Sequence, residues 1–210
     1  MNDNTKILLR SILAGMFISI GGWAFVSIGA IAGMILFTFG LLSVVHFKTP
    51  LYTGKAGFTF KGKEWRLPLI LLLNVVGCFL MALFATQSPV REAMLETTRG
   101  IVATRLTTGP IGCGVLGMGC GLIMTTAVAF ASKEKYLPLL FGVPAFIACG
   151  FPHSIADAFY ICTYVATNGF DCPDFWDVML CWIMVVSGNY IGCNIPWMFG
   201  YDLKDTAFVD

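Results

Sequence analysis

Residues Gly150-Phe151-Pro152-His153-Ser154-Ile155-Ala156-Asp157-Ala158-Phe159 place a helix breaker, an imidazole and a carboxylate in consecutive turns. Histidine, with a reference pKa of about 6.5, is the side chain best suited to exchange a proton near neutral pH. Asp157 lies at i+4 from His153, the spacing that puts two side chains on one face of a helix; it would tune the imidazole or join helices. A second stretch, Lys48-Thr49-Pro50-Leu51-Tyr52-Thr53-Gly54, combines another proline with a hydroxyl, Thr53, and a cation, Lys48, and His46 stands just before it. Proline removes a backbone donor and disfavours helix in the residue before it, so Pro50 and Pro152 each mark a break.

Both breaks fall in segments made for lipid. The chain has 210 residues, 57% hydrophobic and 12% charged, against about 25% charged in soluble domains. Its mean hydropathy is +0.80. A spanning helix needs about 20 mostly apolar residues. On that count the crossings are Ile7–Gly29, Ala30–Phe47, Leu67–Ala85, Gly109–Ala131, Tyr136–Ala166 and Trp176–Tyr201. The second is interrupted at Lys48–Gly54 and continues as a half-helix, Lys55–Phe60. The fifth is interrupted at Phe151-Pro152-His153. Non-helical backbone at membrane depth survives only where protein or a water-filled cavity covers it, and an ionisable residue there points to function.

The expected fold is all-α and integral to the membrane: a single domain over 1–210, with six crossings and helices 2 and 5 broken. Each half carries a helix, a broken helix, and a helix with an Asn-x-x-Gly pair, Asn74 with Gly77 and Asn189 with Gly192. Three crossings per half set the halves, 6–86 and 109–201, in opposite orientations, and matched breaks in such repeats point to a transport site at the midplane. Basic residues orient the chain: Lys6, Arg10, Lys55, Lys61, Lys63, Arg66, Lys133, Lys135 and Lys204 fall on one side and Arg91, Arg99 and Arg105 on the other. Both termini are therefore expected in the cytoplasm of a bacterial inner membrane. The loop Gly169–Asp177, with Asp171, Asp174 and Asp177, lies outside.

Several classes drop out. A net charge of +1 does not suit nucleic acid, which needs a basic face. Seven of the eight cysteines lie in apolar segments without zinc-ligand spacing and read as buried thiols. Cys172, in a polar loop, is the exposed one. The Gly112–Gly121 run lacks the strand before it and the Lys-Ser/Thr after it that a phosphate loop requires. No cofactor motif is present. Ser154 adjoins His153, but neighbours on a helix do not face each other, so no enzyme is expected.

The chemistry suited to the breaks is anion handling. A half-helix N-terminus offers free N–H groups and a dipole of about +0.5 charge. Burying an isolated carboxylate costs several kcal/mol even after relaxation, whereas a dipole offsets about 2 kcal/mol at best. Protonating the anion removes most of that cost. His153 is therefore expected to protonate or hydrogen-bond a weak-acid anion held near Thr53.

With these residues in place, the chain resembles the formate/nitrite transporter family over its whole length. Phe37-Thr38-Phe39-Gly40-Leu41 with Leu51-Tyr52-Thr53-Gly54 is similar to the family's second helix and loop, Gly150–Asp157 to its fifth-helix histidine motif, and Gly188-Asn189-Tyr190-Ile191-Gly192 to its sixth-helix motif. The resemblance implies an aquaporin-like six-helix protomer in a homopentamer, passing formate, nitrite, hydrosulfide, acetate or lactate. It further implies an outer apolar constriction from Phe37, Leu41 and Phe146, an inner one from Leu51 with Phe146, and a substrate between them facing Thr53 and His153. An apolar ring excludes hydrated ions by making them shed water. Three positions depart from the family pattern. Gly114 stands where Asn is frequent, Pro152 where Glu is common, and Asp157 where Asn is frequent. The family's outer lysine has Arg99 and Arg105 as candidate counterparts. The competing function is a pore for neutral solutes such as water or undissociated hydrogen sulfide, with His153 acting only as a hydrogen-bonding group. A scaffold without flux is the remaining class.

Overall fold

A computed structural model describes residues 3–58, 66–168 and 174–201. Among them the chain forms eight helices: α1 (Asp3–Ile28), α2 (Ala30–His46), α3 (Tyr52–Ala56), α4 (Arg66–Ala85), α5 (Arg91–Ala131), α6 (Leu137–Ala148), α7 (Ser154–Asn168) and α8 (Phe175–Met198). Four of these, α1, α4, α5 and α8, are long and apolar enough to cross a bilayer alone. The other two crossings are composite, α2 with α3 and α6 with α7. Phe60, Lys61, Lys63, Asp171, Cys172 and Lys204 lie outside the described residues.

Ile31, Ile35 and Phe39 of α2, Leu72, Phe79 and Leu83 of α4, Ile111 and Val115 of α5 and Phe141 of α6 are exposed. Apolar surface of that extent suits lipid or a neighbouring subunit rather than water. Inside lies a core centred on Phe37, Leu41, Leu51, Met124, Phe146, Ile155 and Phe159.

Small residues let the helices close up, as expected where backbones pack in lipid. A methyl at Gly77 would overlap the carbonyl oxygen of Ile12, and one at Gly192 that of Met118. The α1–α4 and α5–α8 pairs thus meet backbone to backbone.

Three expectations need correction. The half-helix expected at Lys55–Phe60 is instead Tyr52–Ala56 in the described residues, because it starts two residues after Pro50. The crossing expected over Gly109–Ala131 is the second part of a longer helix that begins at Arg91. The first part joins it at a kink where Gly109 has φ 73 and ψ 165, ahead of Pro110. Its carboxylates and arginines hid it from a hydropathy count, although Met94, Leu95, Thr98 and Val102 form a buried stripe at helical spacing. Cys149 is exposed and Cys162 half-buried, while Cys78, Cys113, Cys120, Cys181 and Cys193 are buried free thiols; Cys149 follows the end of α6, where the chain leaves the helix.

Candidate functional site

The two breaks are built alike. After α2, the N–H groups of Phe47, Lys48 and Thr49 donate to the carbonyls of Ser43, Val45 and Val44 at 3.0, 3.1 and 3.0 Å. After α6, those of Cys149, Gly150 and Phe151 donate to Ala145, Ile147 and Phe146 at 3.0, 3.0 and 2.9 Å. Lys48 and Gly150 hold the same place, with φ of 50 and 70, the left-handed region that lets the chain turn back toward the middle.

One carboxamide then closes each break. Asn74 Oδ1 accepts from the Tyr52 N–H at 2.9 Å, and its Nδ2 donates to Pro50 O at 3.0 Å and Ser11 O at 2.7 Å. Asn189 Oδ1 accepts from the Ser154 N–H at 2.8 Å, and its Nδ2 donates to Pro152 O at 3.0 Å and Gly117 O at 2.9 Å. Both asparagines are fully buried. Their bonds satisfy backbone groups that a broken helix leaves orphaned, where an unmet buried group costs about 1–3 kcal/mol. Each clip encloses a single residue: Leu51 in one half, His153 in the other. The asparagines were legible only as half of a glycine-spaced pair, and their clamping role emerges from the geometry.

The breaks meet at His153 and Thr53. The Ala156 N–H donates to His153 Nδ1 at 3.2 Å. A nitrogen that accepts a bond carries no hydrogen, so the ring is the neutral tautomer with its proton on Nε2. Nε2 lies 2.9 Å from Thr53 Oγ1, and Nε2–H donates to that hydroxyl. His153 is 2% exposed and Thr53 0%. The imidazole stacks on Phe146, with centroids 5.7 Å apart and planes at 25°. Phe146 in turn meets Phe37 edge-on at 5.9 Å. Phe37, Leu41, Leu51 and Phe146 are all buried. Thr38 Oγ1 and Ser154 Oγ, next in sequence to Phe37 and His153, are buried without a hydrogen-bond partner among the described residues.

Four of the N–H groups at the starts of the two half-helices are already engaged. Tyr52 and Ser154 give their N–H groups to the asparagines, Ala156 gives its own to the imidazole, and Asp157 gives its own to His153 O at 2.8 Å. The side-chain donors at the centre are His153 Nε2–H and the Thr53 hydroxyl.

The remaining candidates sit around this centre. Lys48 lines a cavity with Val44, Val45, Thr49, Leu51, Gly54, Lys55 and Val128. His46 is exposed, its ring against Phe47 at 5.0 Å. Arg99 is exposed on α5. Arg105 is not available as a lone cation. Its Nε lies 2.8 Å from Asp157 Oδ2 and its Nη2 3.1 Å from Oδ1, a two-pronged pair with side chains 18% and 5% exposed. Asp157 thus spends its charge on Arg105 rather than on the imidazole. Gly114 packs on Met184 at the α5–α8 contact, where a methyl at Gly188 would overlap the Gly114 oxygen.

Residues 2–201 match the family described as formate/nitrite transporter. The chain belongs to the formate/nitrite transporter family. Among curated proteins it is similar to the formate channel FocB of Escherichia coli (strain K12), 24% identical over 209 residues, covering 84% of this chain and 72% of that one. Among solved structures it is similar to a pentameric formate channel with formate bound, with a TM-score of 0.75 at 20% identity over 94% of this chain and 95% of the other. A second, an FNT family ion channel, gives 0.78 at 19% identity over 96% and 92%. Formate/nitrite transporters are multi-pass membrane proteins, and this chain has their fold.

Proposed function

We propose that this formate/nitrite transporter passes small monovalent weak-acid anions, formate first among them, with nitrite, hydrosulfide, acetate and lactate as further candidates. The observation that carries this reading is the contact between His153 Nε2 and Thr53 Oγ1, which joins the two breaks beneath the stacked ring of Phe146. An anion that enters between these groups accepts Nε2–H and the threonine hydroxyl. Phe37, Leu41 and Phe146 on one side and Leu51 on the other strip its water, which disfavours a bare ion and favours the neutral acid.

The resting ring holds one proton and binds by donating it in a hydrogen bond. It delivers a proton only after a second one arrives, and Nδ1 can accept that one only if the Ala156 N–H turns away. Substrate protonation is therefore coupled to a small rearrangement at the start of α7. The same neutral ring would serve a pore for neutral solutes, and proton movement separates the two readings.

Assembly as a homopentamer, both termini in the cytoplasm, location in a bacterial inner membrane and two inverted repeats over 6–86 and 109–201 belong to the same proposal. The pentameric formate channel and the exposed apolar faces support the first, and the matched breaks support the last. Reconstitution in liposomes with a trapped pH dye tests the reading. Formate flux that carries protons and rises as pH falls from about 8 to 5 supports it; flux that ignores pH and moves no protons overturns it.

A further inference from the structure

Each half carries not only Asn-x-x-Gly but Asn-x-x-Gly-Cys, with Cys78 after Gly77 and Cys193 after Gly192. The asparagines bind the break of their own half; the cysteines reach into the other. Cys78 Sγ donates to Ile155 O at 3.4 Å, with Gly15 O as a longer second acceptor at 3.8 Å. Cys193 Sγ donates to Thr53 O at 3.4 Å. The thiols are 0% and 1% exposed.

The two acceptors are specific. Ile155 C=O and Ala156 N–H belong to one planar peptide unit, and that N–H is the one bound to His153 Nδ1 at 3.2 Å. Holding the oxygen fixes the direction of the N–H, and donation to it strengthens the N–H as a donor. Thr53, whose carbonyl Cys193 holds, bears the hydroxyl that meets Nε2. A continuous path thus runs from Cys78 through the Ile155–Ala156 peptide, the imidazole and Thr53 to Cys193.

We propose that Cys78 and Cys193 are positioning residues for the central pair. Cys78 fixes the tautomer of His153 through the Ile155–Ala156 peptide, and Cys193 fixes the place of the Thr53 hydroxyl. The inference rests on the reading that His153 and Thr53 hold the substrate. Around the ring, Asp157 of α7 and Arg105 of α5 neutralise each other. Cys120 of α5 and Tyr160 of α7 are buried, and Tyr52 of α3 donates its hydroxyl to Val186 O. Replacing either cysteine leaves these charges unchanged.

The test is formate flux in proteoliposomes from about pH 5 to 8 for Cys78→Ala, Cys78→Val, Cys78→Ser and the same set at Cys193. Without the thiol donor at Cys78 the Ala156 N–H is a weaker donor and Nδ1 takes a proton more readily. Alanine and valine should therefore extend flux to higher pH by roughly half a unit or more, and serine, which keeps a donor, should return the parent profile. Valine fills the space without donating, so it carries the test if alanine does not assemble. At Cys193, alanine and valine should raise the formate KM roughly two- to tenfold, the size of one weak hydrogen bond, with maximal flux little changed and serine restoring it. Superimposable pH profiles for Cys78→Val and the parent, or a serine variant that behaves like valine, would overturn the proposal. His153→Phe runs alongside: undiminished flux there sinks the reading of the site itself, whatever the cysteines do.

Discussion

At the scale of single residues, the decisive fact is that one backbone N–H selects the protonation state of His153. Phenylalanine at this position keeps a ring to stack on Phe146 but has no donor. His153→Phe should abolish formate flux in liposomes while the particle keeps its size on a sizing column, and a loss of assembly instead would assign the histidine to structure. Asp157 gives a second prediction. Its carboxylate cancels Arg105, so Asp157→Asn leaves a half-buried guanidinium partly unmet. Removing one partner of a buried pair costs about 3–5 kcal/mol, toward the low end here because Arg105 retains some solvent. Stability should fall, and the formate KM measured from the side that Arg105 faces should fall too, because an uncompensated cation now attracts the anion. An unchanged KM in Asp157→Asn would show that the pair has no bearing on the path, and a raised one that the freed cation does not attract the anion. The residues at the breaks were legible in the sequence because proline and histidine are rare in apolar segments. The pairing of Arg105 with Asp157 was not, because its partners are 52 positions apart and join only once the helix before Gly109 exists.

At the scale of elements, α2 with α3 and α6 with α7 behave as crossings interrupted by the same device. A left-handed residue turns the chain, a proline ends helical bonding, and an asparagine from a neighbouring helix restores the lost bonds. Composition and proline position disclosed the breaks, and hydropathy disclosed the crossings. The direction of each asparagine side chain depends on tertiary approach, which Gly77 and Gly192 permit and which no spacing rule encodes. The clips make a separable prediction. Asn189→Ala frees the backbone on both sides of His153 and should disturb the pH dependence of flux. Asn74→Ala frees Leu51 and should loosen size discrimination with the pH profile kept. Flux of formate against butyrate, each at two pH values, checks this; identical behaviour of the two variants would mean that the clips only hold the fold. Adding a methyl at Gly192 forces α5 and α8 apart, and Gly192→Ala should cost about 1–3 kcal/mol, read as a lower unfolding temperature.

At the scale of the whole molecule, a charge-poor path and a hydrogen-bonding centre solve one problem between them. In the function proposed above, the apolar rim of Phe37, Leu41 and Phe146 makes passage of a charged, hydrated ion costly, and the Thr53–His153 pair supplies the donors that a small acid needs once its water is gone. If selectivity arises from the width and apolarity of that rim, then enlarging it should admit longer monocarboxylates before it admits chloride. Width is gained by deleting side-chain atoms, while the surface that remains is still apolar and still charges a dehydration cost to an ion that cannot be protonated. The double variant Leu41→Ala with Phe146→Ala should therefore carry butyrate at a rate approaching that of formate, with chloride conductance staying low. Loss of the Phe146 ring also removes the face on which His153 stacks, so Leu41→Ala alone separates width from support of the imidazole, and it should shift the substrate range without altering the pH profile. Parent-like selectivity in the double variant would remove these residues from the filter. Chloride rising in step with butyrate would place the barrier to charge elsewhere, at Leu51, where the corresponding alanine could then be tried.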